Sequence, residues 1–356
     1  MEKRLCLQEL YHPPKRTALQ HSNNQATWNG TNRPLSLVLV DGLDGDPVQT
    51  WTHKATDVCW PKDLMPAVRP RTIVLSFGYN GDMYRNNSVL GIRDNARWLL
   101  SALCDHRSDM ATLRPVIFVG HCLGGLIVKQ AMCFANREKH YHSVASATIG
   151  IIFFGTPVFK TDQAQMKALA KSFQPLDKAK KRRIWDWGTL SPLVQAIIDG
   201  ADDLAEISED FLSYTDKYSI TIYYEGCAWP GTRNCIVDKS RASMEIESAM
   251  HCVDADHIGM CQFKDKEDST FIHLCNCIAD VAGADTQVRE AAEVFWQSAP
   301  HELRSQYFVA RMEVLYPVAE SRDGVPRSIE GIGGDERWSE STRVVEEIEE
   351  SVRSRT

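Results

Sequence analysis

Residues 115–136 read PVIFVGHCLGGLIVKQAMCFAN, and the hydrophobic pattern changes in the middle of this stretch. Residues 116–120 form a short apolar run with β-branched and aromatic members, which is typical of a buried strand. Beyond GHCLGG, apolar side chains recur at helical spacing, at Leu126, Ile127, Ala131 and Phe134. The stretch therefore predicts a strand that turns sharply into a helix.

A Gly-x-nucleophile-x-Gly sequence between a strand and a helix forms a nucleophile elbow. Cys122 occupies the central position here, with Gly120 and Gly124 two residues to either side. The central residue of such a turn is strained, and the glycines allow strand and helix to approach closely. The turn also presents the side chain at a helix N-terminus, which favours a thiolate. Cys122 is therefore the predicted nucleophile; the alternative is a small buried hydrophobic residue.

The composition excludes several classes of protein. The chain has 356 residues, 43% of them hydrophobic, which is enough for one large core with insertions or for two domains. Its net charge of −7 argues against nucleic-acid binding. No apolar run approaches the roughly 18 residues of a transmembrane helix, and the charged start shows no secretory signal. Eleven scattered cysteines fit a reducing compartment, so we expect a cytoplasmic protein.

Further buried strands are predicted along the chain, at residues 35–40, 72–77, 149–154, 218–224 and, more briefly, 235–237. Helical stretches separate them, which predicts the α/β class: a doubly wound, mostly parallel sheet with helices on both faces. Ligands bind such sheets beyond the carboxyl ends of the strands. Four residues follow strand ends in this way: Asp41, Gly78, Cys122 and Thr156.

The sequence predicts three regions. Residues 1–33 are polar and are expected to form a flexible N-terminal arm. Residues 34–282 form the α/β domain, with a helical lid inserted at about residues 160–216. Residues 283–356 contain one helical stretch and a Gly-, Ser- and Glu-rich tail, which we expect to be partly disordered.

A thiolate nucleophile needs a base, and the base needs an acid that orients it. The chain order expected downstream of an elbow is nucleophile, acid, histidine. His257 follows the last predicted strands and is the predicted base. Glu225 ends the strand after the lid, which is the usual place for the acid, and Asp238 ends the next strand. Both carboxylates remain candidates, with Glu225 preferred.

The oxyanion hole should use the backbone N–H of Leu123 and one from the turn after the first strand, at Gly42 or Leu43. Asp41 precedes that turn, and an ionised carboxylate there would oppose a developing oxyanion. Either Asp41 points away, or it is protonated and serves as an additional acid/base group, or the reaction avoids an ordinary tetrahedral oxyanion.

A second cluster of chemically versatile residues lies near the end of the domain. His273, Cys275 and Cys277 alternate with other residues on a predicted closing helix at 269–281. This spacing is too cramped for paired zinc ligands. The sequence therefore predicts packing at this position and no metal site.

Seven segments carry a resemblance to a known family: VDGLDGDPVQTW (40–51), WPKDLMP (60–66), SFGYN (76–80), IFVGHCLGGLIVKQA (117–131), GIIFFGTP (150–157), YYEG (223–226) and DADHIGMCQF (254–263). Together they resemble the serine-active-site-containing branch of the α/β-hydrolases, of fungal type, which is related to the lipase and GPI inositol-deacylase group. The resemblance implies an α/β-hydrolase fold, ester or lipid-like acyl substrates, a Ser–His–acid triad and no cofactor.

By position, the family's nucleophile corresponds to Cys122 and its base to His257. The chain departs from the family at three places: Cys122 stands where the family has serine, and Asp41 and Val158 stand where it has histidine. We therefore expect a cofactor-free enzyme that acts on an ester, thioester or lactone, with a small-molecule acyl substrate that is free or carrier-bound.

Two other functions fit the same residues. The three departures suit a tailoring enzyme of specialised metabolism that cyclises, condenses or releases a carrier-bound product. They also suit a catalytically inactive interaction domain, although His257 and both elbow glycines are retained.

Overall fold

The computed structural model describes residues 6–14, 34–42, 45–79, 91–108, 114–176, 192–246 and 249–298. The strands are β1 Cys6–Tyr11, β2 Leu35–Val40, β3 Thr52–His53, β4 Val58–Cys59, β5 Thr72–Gly78, β6 Val116–His121, β7 Thr148–Phe154, β8 Ser219–Glu225 and β9 Ala249–Val253. The helices are α1 Trp60–Asp63, α2 Met65–Val68, α3 Gly91–Ser108, α4 Gly124–Arg137, α5 His142–Ala147, α6 Gln163–Ser172, α7 Pro192–Asp199, α8 Ala201–Leu212, α9 Lys239–Ala242 and α10 Ser269–Ser298.

Seven of these strands form one twisted sheet in the order β1-β5-β2-β6-β7-β8-β9. Neighbouring strands are parallel throughout, except that β1 pairs antiparallel with β5. The central strands are apolar and almost completely buried, as expected when helices cover both faces of a parallel sheet. The predicted doubly wound α/β fold is confirmed.

The sheet separates two apolar cores because successive side chains of a strand point to opposite faces. Along β6, Phe118 packs into the core under α3 and α4, whereas Ile117 and Val119 pack into the other. The second core is closed by α10, through Phe271 and Leu274. The core to which a residue belongs therefore shows on which side of the sheet its side chain lies.

The carboxyl ends of the parallel strands meet at one edge of the sheet. The backbone N–H of Cys122 donates to the carbonyl of Phe154 at 2.9 Å, and that of Gly155 donates to Tyr223 at 2.9 Å. These bonds join the ends of β6, β7 and β8. Residues that follow these strands are thus brought to a common place.

The described part of the predicted lid is largely helical, as predicted. Helices α6, α7 and α8, together with Phe173 just after α6, pack apolar residues into the same core as α4; these include Phe173, Val194, Ile197, Leu204 and Phe211. The basic part of the predicted lid, residues 178–183, lies outside the described residues.

Two edges of the sheet differ from the prediction. Residues 6–11 were expected in the polar arm, yet they form β1, with Leu7 opposite Phe77. At the other edge, residues 249–253 form β9 although their sequence carried no strand prediction. Edge strands are half exposed and mix polar with apolar residues, so their sequences lack the buried-strand pattern. Residues 15–33 lie outside the described part.

Residues 235–237 do not form the predicted strand, because the N–H groups of Ile236 and Val237 bind a side-chain carboxylate instead of a neighbouring strand. The closing helix continues to Ser298, beyond the predicted end at residue 281. Within the described ranges, no helix combines the length and apolar character needed to cross a membrane.

Candidate active site

Cys122 adopts the strained backbone of an elbow. Its φ is +53°, a left-handed conformation that is unfavourable for a residue with a side chain. It lies between the last residue of β6 and the first of α4, and its side chain is 2% exposed. A Cβ atom on Gly124 would lie 2.0 Å from the backbone oxygen of Asp41, and one on Gly120 would lie 2.7 Å from the Cα of Gly125. Only glycines permit this crossing of strand and helix.

A buried acid–base pair lies at the same edge of the sheet. His257, in the loop after β9, donates from Nδ1 to Oε1 of Glu225 at 2.7 Å. The two side chains are 1% and 0% exposed. The carboxylate, on the last residue of β8, also accepts the N–H groups of Ile236 at 2.8 Å and Val237 at 2.6 Å. These three bonds fix the orientation of the imidazole.

The electrostatics of the pair favour a protonated imidazole. Burial lowers the pKa of His257, but attraction to Cys122 and then to Glu225 outweighs burial and raises the pKa to about 10. The second ring nitrogen, Nε2, has no partner at normal hydrogen-bond distance and angle among the described residues. Cys122 nevertheless raises the pKa of the ring both through charge and through a side-chain hydrogen bond, in keeping with catalytic hydrogen bonds that align fully only when substrate is bound.

His121 is a site residue that sequence reasoning missed. Its Nε2–H donates to the backbone oxygen of His257 at 2.8 Å, and the two rings lie 5.0 Å apart. Trp51 packs edge-on against His121 at 6.5 Å. His121 thus positions the loop that carries the candidate base. The one sequence feature that could have indicated this role is that His121 directly precedes Cys122 in the elbow.

Asp238, the alternative acid, has a different task. It is the N-cap of α9, accepting the backbone N–H of Arg241 at 3.0 Å and the hydroxyl of Ser240 at 2.7 Å. Burial raises the pKa of Asp238, but these bonds and the Arg241 charge outweigh it and lower the pKa below its usual value. Of the two candidates, Glu225 contacts His257, and Asp238 caps a helix.

Two of the predicted oxyanion-hole residues, Leu123 and Gly42, lie beside Cys122. Leu123 directly precedes α4, and a Cβ on Gly42 would lie 2.8 Å from the Cβ of Cys122. Leu43 lies outside the described residues. The carboxylate of Asp41 is buried against Gly45, where an added Cβ would lie 2.7 Å from Oδ2. The catalytic use of Asp41 stays a prediction.

Apolar residues of the lid cover the site. Phe173, just after α6, packs edge-on to the ring of His257 at 6.2 Å. Cys122 belongs to the same apolar core as Phe159 and Phe173, and Val158 packs against that core. The core that contains Cys122 is therefore apolar, and Phe173 brings it against the ring of His257.

The strand order, the left-handed cysteine between β6 and α4, and a histidine in the loop after β9 define the α/β-hydrolase fold. Among the described residues, one group of His and Cys side chains lies close enough together to hold a metal ion, namely His251, His273 and Cys277. Cys122 and His257 are not members of this group.

Comparisons with known proteins show distant similarity. No family model matches the chain. Protein SERAC1 of Danio rerio is 24% identical over 274 residues, covering 71% of this chain and 40% of that protein's length. A carboxylesterase structure from Nitrososphaera gargenis has a TM-score of 0.42 and 11% identity, covering 71% of this chain and 92% of the other. The RedJ thioesterase of Streptomyces coelicolor has a TM-score of 0.37 and 12% identity, covering 75% and 100%.

Proposed function

We propose that the chain is an acyl-transfer enzyme that hydrolyses an ester, thioester or lactone through Cys122, His257 and Glu225. The observation that carries the proposal is the buried Nδ1–Oε1 bond of 2.7 Å between His257 and Glu225, next to a cysteine held at φ +53°. A nucleophile, a base and an orienting acid are the minimal set for covalent acyl transfer.

In the first half of the reaction, the Cys122 thiolate attacks the carbonyl carbon, and the carbonyl electrons move to the oxygen. The N–H of Leu123 and one from the turn at Gly42 and Leu43 stabilise this oxyanion. When the carbonyl re-forms, the leaving alkoxide or thiolate takes the proton of the His257 imidazolium. The product is an acyl group in thioester linkage to Cys122.

In the second half, His257 takes a proton from water, and the resulting hydroxide attacks the acyl carbon. The Cys122 sulfur leaves as a thiolate, the acid is released, and His257 is again an imidazolium. Glu225 orients the ring throughout and stabilises its positive charge.

The surroundings of the thiol support an apolar acyl substrate, either free or carrier-bound. Phe159 and Phe173 are at most 1% exposed and share a core with Cys122. An acyl chain in this environment would bury apolar surface at roughly 25 cal/mol per Å². A charged acyl group would lose its hydration without a compensating ion pair.

The tailoring alternative is supported by the burial of the site. Cys122 and His257 are 2% and 1% exposed, so water has poor access to an acyl group on the sulfur. A hydroxyl or amine of the substrate itself could then attack that group, which would give a cyclised or condensed product. His257 would remove the proton of the attacking group in the same way.

The test uses a series of chromogenic acyl thioesters and an acylating probe directed at thiols. We expect Cys122→Ala to lower turnover at least about a thousandfold and to abolish site labelling. Cys252→Ser removes an exposed thiol and should match the wild type. Equal turnover and equal labelling of Cys122→Ala and the wild type would refute the proposal.

The products separate the alternatives. In isotopically labelled water, an acid that contains the label supports hydrolysis, whereas an unlabelled cyclic or condensed product supports tailoring. An inactive interaction domain predicts neither product, together with alkylation of Cys122 by iodoacetamide no faster than that of a free thiol at neutral pH.

A further inference from the structure

A cluster of metal-binding side chains lies on the opposite side of the sheet from Cys122. His251, His273 and Cys277 each present a ligand atom, and these atoms all lie within 4.8 Å of one another. The sulfur of Cys277 is 3.6 Å from Nδ1 of His273. Tyr223, a neighbour of the cluster, belongs to the core closed by α10, whereas Cys122 belongs to the other core. The proposed function leaves these residues without a task.

Two elements, β9 and α10, supply the cluster, and β8 lies beside it. His273 and Cys277 are four residues apart on α10, so their side chains lie on the same helix face. The register of the parallel strands pairs His251 of β9 with Tyr223 of β8. Cys275 is not part of this group and packs in the core closed by α10. The stretch HLCNC at residues 273–277 shows only two of the three ligands, because His251 lies in β9. The sequence alone therefore suggested packing at this position.

We propose that His251, His273 and Cys277 bind one zinc ion. Tetrahedral zinc takes sulfur at about 2.3 Å and imidazole nitrogen at about 2.0–2.1 Å, which places the two ligand atoms about 3.6 Å apart. The separation of Cys277 Sγ and His273 Nδ1 is 3.6 Å. Two imidazoles and a thiolate form a borderline-soft donor set that suits this ion.

Tyr223 borders the same space. Its hydroxyl oxygen lies 2.7 Å from Nδ1 of His273 and 3.6 Å from Sγ of Cys277. When zinc takes the lone pair of Nδ1, the O–H can turn to the sulfur and donate to it. Such outer partners hold a thiolate ligand in place and contribute to metal affinity. The fourth ligand of the ion is then a water molecule.

The position of the cluster makes it accessible and mechanically useful. All three ligand residues are half-buried, so an ion can reach them from solvent. β9 is an edge strand that pairs with β8 alone. A metal that joins His251 to α10 would tie this edge to the helix beneath it. Binding to the folded state alone would raise stability as the free zinc concentration exceeds the Kd.

The experiment uses the full chain, stripped with a chelator and then dialysed against zinc chloride. We expect one zinc ion per chain in the wild type. Cobalt(II) in place of zinc should give a thiolate-to-cobalt charge-transfer band. His251→Ala and Cys277→Ser should each weaken zinc binding at least about a hundredfold, since loss of an outer partner alone weakens it ten- to a hundredfold.

Matched controls use the neighbouring residues. Cys252→Ser, next to His251 on the same strand, and His140→Ala, an exposed histidine, should bind zinc as the wild type does. Zinc should raise the Tm of the wild type and of both controls, but not that of Cys277→Ser.

Three results would overturn the zinc site. The first is a wild type that binds no zinc, and the second is a cobalt complex without a thiolate band. The third is loss of the zinc in Cys122→Ala while Cys277→Ser retains it. If Cys277→Ser does not fold, the cobalt spectrum of the wild type and the affinity of His251→Ala, at the sheet edge, decide the question.

Discussion

The carboxylate of Glu225 is surrounded by donors on three sides: the ring of His257 and two backbone N–H groups. Asp238, thirteen residues later, caps a short helix at the protein surface. The same functional group therefore serves a buried imidazole in one case and a helix N-terminus in the other. This contrast allows the two residues to serve as test and control.

We predict that Glu225→Gln lowers kcat/KM by about a thousandfold or more. Glutamine keeps the shape, but Oε1 of Glu225 accepts from His257 and Val237 while Oε2 accepts from Ile236. One of these positions becomes an NH₂ group in glutamine, and that group faces an N–H donor it cannot accept. Loss of the negative charge also lowers the pKa of His257, because attraction to Glu225 is one of its causes. Steady-state kinetics on an acyl thioester measures the effect.

Asp238→Asn is the control for that variant, because asparagine is as good an N-cap as aspartate. Its kcat/KM should stay within about twofold of the wild type. The reverse outcome, an active Glu225→Gln with an inactive Asp238→Asn, would transfer the acid role to Asp238.

His121 should act on rate and not on binding. We predict that His121→Phe lowers kcat about tenfold with little change in KM, since it removes the N–H donor to the His257 carbonyl but keeps the ring beside Trp51. Unfolding should become easier by about 1–3 kcal/mol, the usual penalty for a buried carbonyl left without its donor. A variant with normal kcat would exclude the positioning role.

At the scale of elements, the elbow depends on a backbone contact between β2 and α4. A Cβ on Gly124 would lie 2.0 Å from the backbone oxygen of Asp41, and no side-chain movement relieves that clash. Gly283, in α10, has open space around the same position. One substitution thus has opposite consequences in two helices.

We predict that Gly124→Ala destabilises the protein by at least about 3 kcal/mol, because strand and helix must separate. Gly283→Ala should stabilise it by about 0.5–1 kcal/mol, the difference in helix propensity. Urea unfolding followed by circular dichroism measures both values. A Gly124→Ala variant as stable as the wild type would contradict the close crossing of β2 and α4.

The pH dependence of the stability of the entire protein depends on two buried basic groups whose pKa values are shifted in opposite directions. Lys129, in α4, is 1% exposed with its ammonium 5.3 Å from the ring of Phe153, and burial lowers its pKa to about 7. The pKa of His257 is raised to about 10. Unfolding restores both groups to ordinary values, near 10.4 for lysine and 6.5 for histidine.

Stability rises with pH where the unfolded chain binds more protons than the folded protein, and it falls with pH in the reverse case. Above pH 7, the unfolded chain keeps the lysine proton that folded Lys129 has lost, so stability rises with pH by up to about 1.4 kcal/mol per unit. Folded His257 keeps a proton that the unfolded chain loses above pH 6.5, so its contribution falls with a similar slope until pH 10. The two slopes nearly cancel between pH 7 and 9.

We predict that Lys129→Met is more stable than the wild type by about 1–3 kcal/mol at pH 7, because no charge must be buried. Its advantage should shrink from pH 7 to 9, where the wild type is nearly level and the variant follows the falling histidine slope. Chemical denaturation at several pH values measures this difference.

Lys167→Met, at an exposed position of α6, is the control and should show no pH-dependent gain. Measurement stops at pH 9 because burial raises the pKa values of Cys133 and Cys275 to about 12, so ionisation of these thiols in the unfolded chain then lowers stability. If the stability that Lys129→Met gains over the wild type does not change with pH, the proposal that Lys129 titrates in its buried position is wrong.

Much of the fold could be predicted because burial leaves a local pattern. The five central strands were predicted within one residue at each end, since strands covered on both faces are continuous apolar runs. The edge strands β1 and β9 lack that pattern. The nearness of His251 to His273 was also unpredictable, because it depends on how a strand and a helix pack across 22 residues of chain.

Local periodicity and glycines at fixed spacing were enough to predict the parallel sheet, the elbow with Cys122 at its centre, and a downstream histidine. Which carboxylate contacts His257, what His121 does, and which residue joins the His273–Cys277 pair became known only from the folded chain. These are contacts between segments far apart in the chain, and such contacts are selected by packing, which residue order alone does not specify.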